Sequence, residues 1–225
     1  MEGLIGKKIG MTQVYDDQGR RVSVTVIEVG PCPVVQVKTL ERDGYSAVQL
    51  GYEEQKPWKD PKSGMEDHEG RKANNRISKA ESKHCEKAGV TPCKMLKEFA
   101  LDDGEEVKEG QTVTVGMFDG IKYVDVSGVT KGRGFAGVVR RYGMRGGPMT
   151  HGGHSKRRIG GIGARDLPGW VDKGKRMPGH MGAVNRKTRN LRVIQVRGEE
   201  NLLLVEGSVP GTKGGVVIIR KALKK

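Results

Sequence analysis

Aromatic residues are scarce in this chain: phenylalanine, tyrosine and tryptophan make up 4% of its 225 residues, and all hydrophobic types together 35%. This composition predicts a modest apolar core, in one domain or one domain with a smaller insertion. No apolar run reaches the roughly 18 to 20 residues of a membrane-spanning helix, and the N-terminus MEGLIGKKIGM lacks a signal-peptide pattern. The three cysteines, Cys32, Cys85 and Cys93, are odd in number and unevenly spaced, which favours reduced thiols and an intracellular protein.

Acidic residues are lacking in one part of the chain. The whole sequence has 41 Lys and Arg against 27 Asp and Glu, a net charge of +14. Residues 131–192 contain 16 of the basic residues and only two acidic ones, Asp166 and Asp172, so the net charge of this stretch alone is +14. The rest of the chain is therefore neutral. A basic excess of this kind favours a polyanionic partner, nucleic acid first and an anionic membrane surface second.

The same stretch has little from which to build a core. It holds 15 of the 35 glycines and three of the five histidines, and its apolar residues, among them Phe135, Tyr142 and Trp170, follow neither a strand nor a helix period. Such a segment needs a partner to hold a shape. A disordered basic tail is the alternative, and we place it second because sequence typical of regular structure resumes on both sides.

The flanking sequence predicts short β-strands separated by turns and without intervening helical periods, which favours an antiparallel barrel. The predicted barrel comprises residues 1–54, 99–130 and 191–225. Residues 55–98 form a polar, partly helical insertion, and residues 131–190 a basic, glycine-rich extension. Within the insertion, residues 78–89 predict a short helix with Ser78 or Ser82 as the N-cap and Gly89 as the stop. The predicted strands cover residues 22–29, 34–39, 45–51, 112–118, 121–126, 191–197, 201–206 and 215–221.

Two patterns within the basic stretch invite an enzymatic interpretation. Residues 132–137 match the dinucleotide fingerprint G-x-G-x-x-G, but Gly143 and the glycines after it would break the long helix that a Rossmann fold requires. His151, His154 and His180 could be imagined around zinc, although neighbouring arginines and lysines would repel a cation. No nucleophile–base pair can be argued from the sequence. We therefore predict no catalytic residue, no metal and no cofactor.

Four blocks of sequence resemble one known family. They are GLIGKKIGMTQVY (3–15), DVSGVTKGRGFAGVVRRYGMRGGPMTHG (125–152), KGKRMPGHMG (173–182) and NLLLVEGSVPG (201–211). In this order they resemble the universal large-subunit ribosomal protein of the L-three family, in its bacterial type. The resemblance covers nearly the whole chain, and only residues 55–98 are undistinctive.

The resemblance implies a mainly β fold, a split antiparallel six-stranded barrel of the translation-protein type. It also implies a long basic loop running through ribosomal RNA toward the peptidyl-transferase centre, and an early role in large-subunit assembly. The implied partners are large-subunit ribosomal RNA and neighbouring large-subunit ribosomal proteins, with no membrane and no small-molecule substrate. The implied location is the cytoplasmic ribosome, with an organellar ribosome as the alternative.

One departure from the family concerns the tip of the loop, at Gly163, Ala164 and Arg165. Many bacterial members carry a glutamine that can be methylated where this chain has Ala164, so that modification is expected to be absent here. The predicted chemistry is charge neutralisation and shape matching: Arg and Lys on phosphates, glycine backbone in tight RNA crevices, and a few aromatics and histidines against bases. The predicted RNA-binding residues are Lys131, Arg133, Arg140, Arg141, Arg145, His151, His154, Lys156, Arg157, Arg158, Arg165, Lys173, Lys175, Arg176, His180, Arg186, Lys187 and Arg189.

Two rival functions belong to other classes. The first is a free-standing RNA-modifying or nucleotide-dependent enzyme that would use the loop at residues 132–137; binding of a nucleotide to the isolated protein would favour it. The second is a DNA-compacting protein, which equal affinity for duplex DNA and folded ribosomal RNA would favour.

Overall fold

The computed structural model describes residues 1–16, 18–58, 77–102, 105 and 107–224. Strands dominate its regular structure, and the prediction of a mainly β protein is confirmed. The chain divides into two compact units, which we name the barrel unit (Met1–Val129 with Arg186–Lys225) and the basic unit (Thr130–Asn185).

The elements follow one another along the described residues, with a 3-10 helix between β6 and β7. They are β1 (Gly3–Tyr15), β2 (Arg21–Val29), β3 (Cys32–Lys38), α1 (Leu40–Asp43), β4 (Ala47–Glu54), α2 (Lys79–Lys87), β5 (Cys93–Ala100), β6 (Thr112–Val113), the 3-10 helix (Val115–Phe118), β7 (Tyr123–Val129), β8 (Phe135–Ala136), α3 (Val138–Tyr142), β9 (Gly179–His180), β10 (Asn185–Arg197), β11 (Leu202–Glu206) and β12 (Val216–Lys221).

Six strands form a closed barrel in the order β1-β12-β7-β10-β11-β2. β1 pairs antiparallel with both β12 and β2, and β2 pairs antiparallel with β11. β-propensity alone does not predict β1, because three glycines interrupt it. Two of these glycines lie where neighbouring strands come close: a Cβ on Gly6 would be 2.6 Å from the carbonyl oxygen of Glu28, and one on Gly3 would collide with the carbonyl oxygen of Ile219. The close approach of the backbones explains glycine inside this strand.

A second sheet of the barrel unit has the strand order β5-β4-β3-β6. β3 and β4, which fall within residues 1–54 predicted as barrel, lie in this second sheet. Residues 93–98, predicted as part of a polar insertion, belong to β5, which pairs with β4 along its length. Ion pairs on neighbouring strands accommodate the polarity of β5: Lys94 and Glu53 are 2.7 Å apart, and cross-strand pairs of this kind stabilise a solvated sheet face.

The strand predicted over residues 112–118 is confined to β6. The 3-10 helix that follows places Val115 and Phe118 three residues apart, on the same side of a tight turn, and both are fully buried. Burial of these two side chains overrides the strand preference of the sequence TVTVGMF. The prediction for this segment is therefore wrong beyond Val113.

The short helix predicted within residues 78–89 is confirmed as α2. Ser78 is its N-cap: the Glu81 amide donates to the Ser78 hydroxyl at 3.2 Å, and the Ser78 amide donates to the Glu81 carboxylate at 3.0 Å. The bond from the Ser78 amide, and a second one that the Ser78 hydroxyl donates to the Glu81 carboxylate at 2.8 Å, lower the pKa of Glu81. Ser82, the other candidate, is buried and donates to Glu86 at 2.9 Å. The chain leaves the helix through Gly89 at φ +68°, a conformation that suits glycine.

The apolar core lies in the barrel unit. Leu4, Ile27, Phe118, Leu203 and Ile219 are among its fully buried members, contributed by barrel strands and by the 3-10 helix. Burial of such side chains supplies most of the favourable free energy of folding. The core is built mainly from aliphatic side chains on strands, which explains why a chain with only 4% aromatic residues can form it.

Candidate nucleic-acid interface

The two ends of the basic unit are joined by a short antiparallel ladder. Thr130 donates its amide to the Val184 carbonyl at 3.0 Å, and Arg133 donates to Met181 at 2.8 Å. Farther along, β8 pairs with β9. Backbone hydrogen bonds therefore give this end of the unit regular structure. β8 and β9 have only two residues each, which is too short to produce a strand period in the sequence.

The glycine motif at residues 132–137 leads into α3, a helix of five residues. Gly137 is its N-cap and offers no side-chain cap, and Gly143 ends the helix at φ +69°. A Rossmann dinucleotide site requires a long helix after the third glycine. The geometry of this segment is therefore not that of a dinucleotide fingerprint.

All but one of the eighteen predicted RNA-binding residues are exposed to solvent. Fifteen of them lie in the basic unit, whereas Arg186, Lys187 and Arg189 lie on β10, in the barrel unit. Two predicted residues have a carboxylate partner among the described parts of the chain: Arg165, 3.8 Å from Asp166, and Lys187, 3.1 Å from Asp125. The exposed cations are thus largely uncompensated by neighbouring carboxylates, which suits them to neutralise phosphates.

Lys187 differs from the other predicted residues because its partner is buried. Asp125, on β7, has 3% of its surface exposed and also accepts a hydrogen bond from the Asn190 amide at 2.9 Å. A nearby cation and a hydrogen-bond donor offset the cost of burying a carboxylate. Lys187 therefore stabilises the first part of β10, a structural role that the sequence did not predict.

Arg141 is the predicted residue that is not fully exposed. Its guanidinium donates to the Met177 carbonyl at 2.7 Å and lies 5.0 Å from the centre of the Tyr142 ring, which Arg176 approaches at 5.6 Å. Cation–π contacts of this kind are worth about 0.5–1 kcal/mol at exposed sites. Arg141 therefore connects α3 to the segment before β9. Nothing in the sequence could have separated Arg141 from Arg140, since the distinction depends on a contact 36 residues away.

The residues expected at the tip, Gly163, Ala164 and Arg165, are all exposed, and the Arg165 side chain has 96% of its surface in solvent. Exposed apolar side chains accompany the cations of the basic unit, and the list of candidate contacts built from charge omits them. They include Phe135, Met149, Leu167 and Trp170. The signal that could have found them is the absence of any apolar periodicity around them.

Within the described part of the chain, no group of three or more His, Cys, Asp or Glu residues is placed to hold a metal ion. All three cysteines are free and buried in the barrel unit, and burial raises the pKa of the Cys32 and Cys93 thiols to about 11. A thiol with a raised pKa is a poor nucleophile at neutral pH. None of the described helices is long and apolar enough to cross a membrane.

The family model for ribosomal protein L3 matches residues 97–201. Over its full length the chain is 44% identical to the large ribosomal subunit protein uL3 of Brachyspira pilosicoli, covering 95% of that protein. The chain belongs to the ribosomal protein L3 family. Other L3-family relatives named large ribosomal subunit protein uL3 come from Corynebacterium diphtheriae (44% identity, 100% of this chain and 95% of the relative) and Magnetococcus marinus (44%, 99% and 97%).

Membership of the L3 family confirms the resemblance drawn from the four sequence blocks. The L3 family is one of structural ribosomal proteins, so the chain is a ribosomal protein and not an enzyme. The relatives are bacterial, which assigns this L3-family member to the cytoplasmic ribosome.

Proposed function

We propose that this L3-family protein is a structural constituent of the large ribosomal subunit that binds ribosomal RNA directly through its basic unit. The observation that carries the proposal is the concentration of exposed cations there: the unit has twelve Lys and Arg against two acidic residues, a net charge of +10. The barrel unit, in contrast, carries nearly balanced charge around an apolar core. The names of the relatives, large ribosomal subunit protein uL3, support the same assignment.

The binding mechanism we infer is electrostatic and geometric. Arginine and lysine side chains neutralise phosphates and release counterions, which makes affinity strongly salt-dependent. Glycines allow close backbone approach: at Gly147, a Cβ would be 2.9 Å from the Ser155 carbonyl oxygen, so the two segments of this loop pack at backbone contact. The loop is therefore thin as well as charged, which suits a narrow space between RNA segments.

Four finer parts of the proposal rest on the family resemblance. We infer that the tip at Gly163, Ala164 and Arg165 points toward the peptidyl-transferase centre, and that the protein joins the large subunit early in assembly. We also assign the six-stranded barrel to the split, translation-protein type and assign contacts with neighbouring ribosomal proteins to this L3-family chain. The exposure of the tip residues supports a contact role for them.

Crosslinking within purified large subunits tests the proposal. A photo-reactive amino acid at Arg157 or Ala164 should crosslink to ribosomal RNA, and the same group at Lys83 on α2 should do so much less. Crosslinks from Lys83 alone would contradict the assignment of the basic unit. The rival functions are tested on the isolated protein: saturable nucleotide binding would favour the enzyme, and equal affinity for duplex DNA and ribosomal RNA would favour the DNA-compacting protein.

A further inference from the structure

We propose that Phe135 and His180 form a platform on which an unpaired base of RNA stacks, a site that rests on the RNA-binding role proposed above and deepens it. The two residues are direct partners in the β8–β9 pairing. Residues opposite each other in an antiparallel pair have Cβ atoms about 4.5–5.5 Å apart and side chains on the same face. An aromatic ring and an imidazole therefore stand side by side on one face of the ladder.

Exposure is the second observation. Phe135 has 80% of its surface in solvent, and His180 is exposed as well, whereas the neighbouring Ala136 is 3% exposed. Successive residues of a strand point to opposite faces. One face of the ladder is thus buried at Ala136, and the other presents the two rings to solvent.

The platform has a fixed frame. Next to it, the Arg133 amide donates to Met181 at 2.8 Å and the Met181 amide donates to Gly134 at 2.9 Å. The hydrogen bond from Arg141 to Met177 holds α3 against the segment that leads into β9. A ring held on a braced ladder loses little conformational entropy when a ligand stacks on it.

Charge selects the ligand class. Lys131 and Arg133 precede β8 in the chain, both are exposed, and the whole basic unit has a net charge of +10. An anionic chain with flat aromatic groups fits a surface that combines cations with exposed rings. RNA with an unpaired base meets this description, because a base inside a duplex has no free face to stack.

The test compares three substitutions of Phe135 in the full-length protein, with deproteinised large-subunit ribosomal RNA as the probe. F135A should weaken binding by roughly 10- to 100-fold, the size of one base–aromatic stack, and should leave the dependence of affinity on salt unchanged because no phosphate contact is lost. F135Y, which keeps an aromatic ring, should bind RNA as tightly as the wild-type protein. F135L, which keeps an apolar side chain without a ring, should bind as weakly as F135A. The matched control Y15A removes an exposed aromatic residue of β1 and should have no effect.

A spectroscopic readout identifies the stacked group. The chain has three phenylalanines, of which Phe99 and Phe118 are buried in the barrel unit. With 4-fluorophenylalanine incorporated, the fluorine signal that F135Y eliminates should shift on addition of an oligoadenylate of about eight nucleotides. An abasic oligomer of the same length and charge should not shift it.

Two results would overturn the platform. Binding by F135L at the wild-type level would indicate a general apolar contact, and equal fluorine shifts with the abasic oligomer would indicate a charge effect. Either result leaves the proposed function standing, provided that the wild-type protein binds ribosomal RNA with a steep salt dependence. Absence of that binding would instead contradict the proposed function itself.

Discussion

The barrel unit and the basic unit reach defined structure by different means. The barrel unit buries aliphatic side chains from many strands, and several of its ionic groups pair with each other, as Glu53 does with Lys7 and Lys94. In the basic unit, all of whose residues the structure describes, only Ala136 and Val138 are buried. Hydrogen bonds along one short ladder give it local order. Hydrophobic burial therefore specifies the first unit, whereas backbone hydrogen bonds give the second its local order. We expect the charge of the second unit to attract a polyanionic partner.

Deletion offers the largest contrast between the units. Replacing residues 131–184 by a short Gly/Ser linker should leave a protein with cooperative unfolding, because the ends are already adjacent: the Thr130 amide lies 3.0 Å from the Val184 carbonyl oxygen. Extending the deletion to residue 192 removes much of β10 and should abolish cooperative unfolding. Urea titration followed by circular dichroism measures both. Equal behaviour of the two variants would show that the stability of the barrel does not depend on residues 185–192 of β10.

Matched phenylalanines provide the next contrast. Phe118→Ala should lower the free energy of unfolding by about 3–5 kcal/mol, since it opens a cavity in the core of the barrel unit. Phe135→Ala removes the same atoms from a solvent-exposed position and should change it by less than about 0.5 kcal/mol. Chemical denaturation of both variants is the measurement. A large loss from Phe135→Ala would mean that this ring is part of a core.

Hydrogen exchange on the free protein should divide the basic unit itself. The amides of Arg133, Met181 and Ala183 donate within the ladder and should be protected. Amides in residues 160–176, where every residue is exposed, should exchange rapidly until RNA is added. Mass spectrometry after rapid quenching measures the exchange rates of both groups of amides. Protection of residues 160–176 without RNA would contradict the idea that this part needs a partner.

The salt dependence of RNA binding sharpens the electrostatic side of the comparison. Changing Arg157 and Arg158 together to Ala should lower the affinity for RNA. The slope of the logarithm of the binding constant against the logarithm of salt concentration should become shallower by about 1.4–1.8, the contribution of two phosphate contacts. Changing Lys83 and Lys87 of α2 removes the same charge from the barrel unit and should do much less. Filter binding at several salt concentrations compares them. Equal losses would indicate a general polycation effect.

Acid should distinguish α2 from α3, because the two helices have different caps, and this is the smallest expected effect. The pKa of Glu81 is lowered below 4.5 by its hydrogen bonds with Ser78. A lowered folded-state pKa means that the contribution to stability is present above 4.5 and is lost as pH falls through the folded value. Protection of α2 amides should therefore decrease in that acid range, and E81Q should remove the dependence. α3 has no side-chain cap and should show no such change.

Sequence patterns predicted the elements whose signals are local. The β-branched run that became β2 and the capping box of α2 can be interpreted from adjacent residues. β1 and β5 could not, because glycines and lysines there are tolerated only through close backbone approach and through ion pairs with distant strands. The distribution of charge alone predicted where the candidate interface lies. The distinct roles of Arg141 and Lys187 could not be predicted, because each is defined by a residue 36 or more positions away along the chain. The pairing of Phe135 with His180 is equally distant in sequence.

The place of the basic unit along the chain, between two barrel strands, has a consequence for how the family can vary. The chain leaves β7 at Val129 and re-enters at β10, and these two strands are neighbours in the barrel. Topologically, the basic unit is the turn of a hairpin that has grown to more than fifty residues. Since each doubling of a flexible loop costs only about 0.6 kcal/mol in closure entropy, insertions and deletions near the tip are thermodynamically cheap. Lineages can therefore adjust the reach of this loop while inheriting the same barrel.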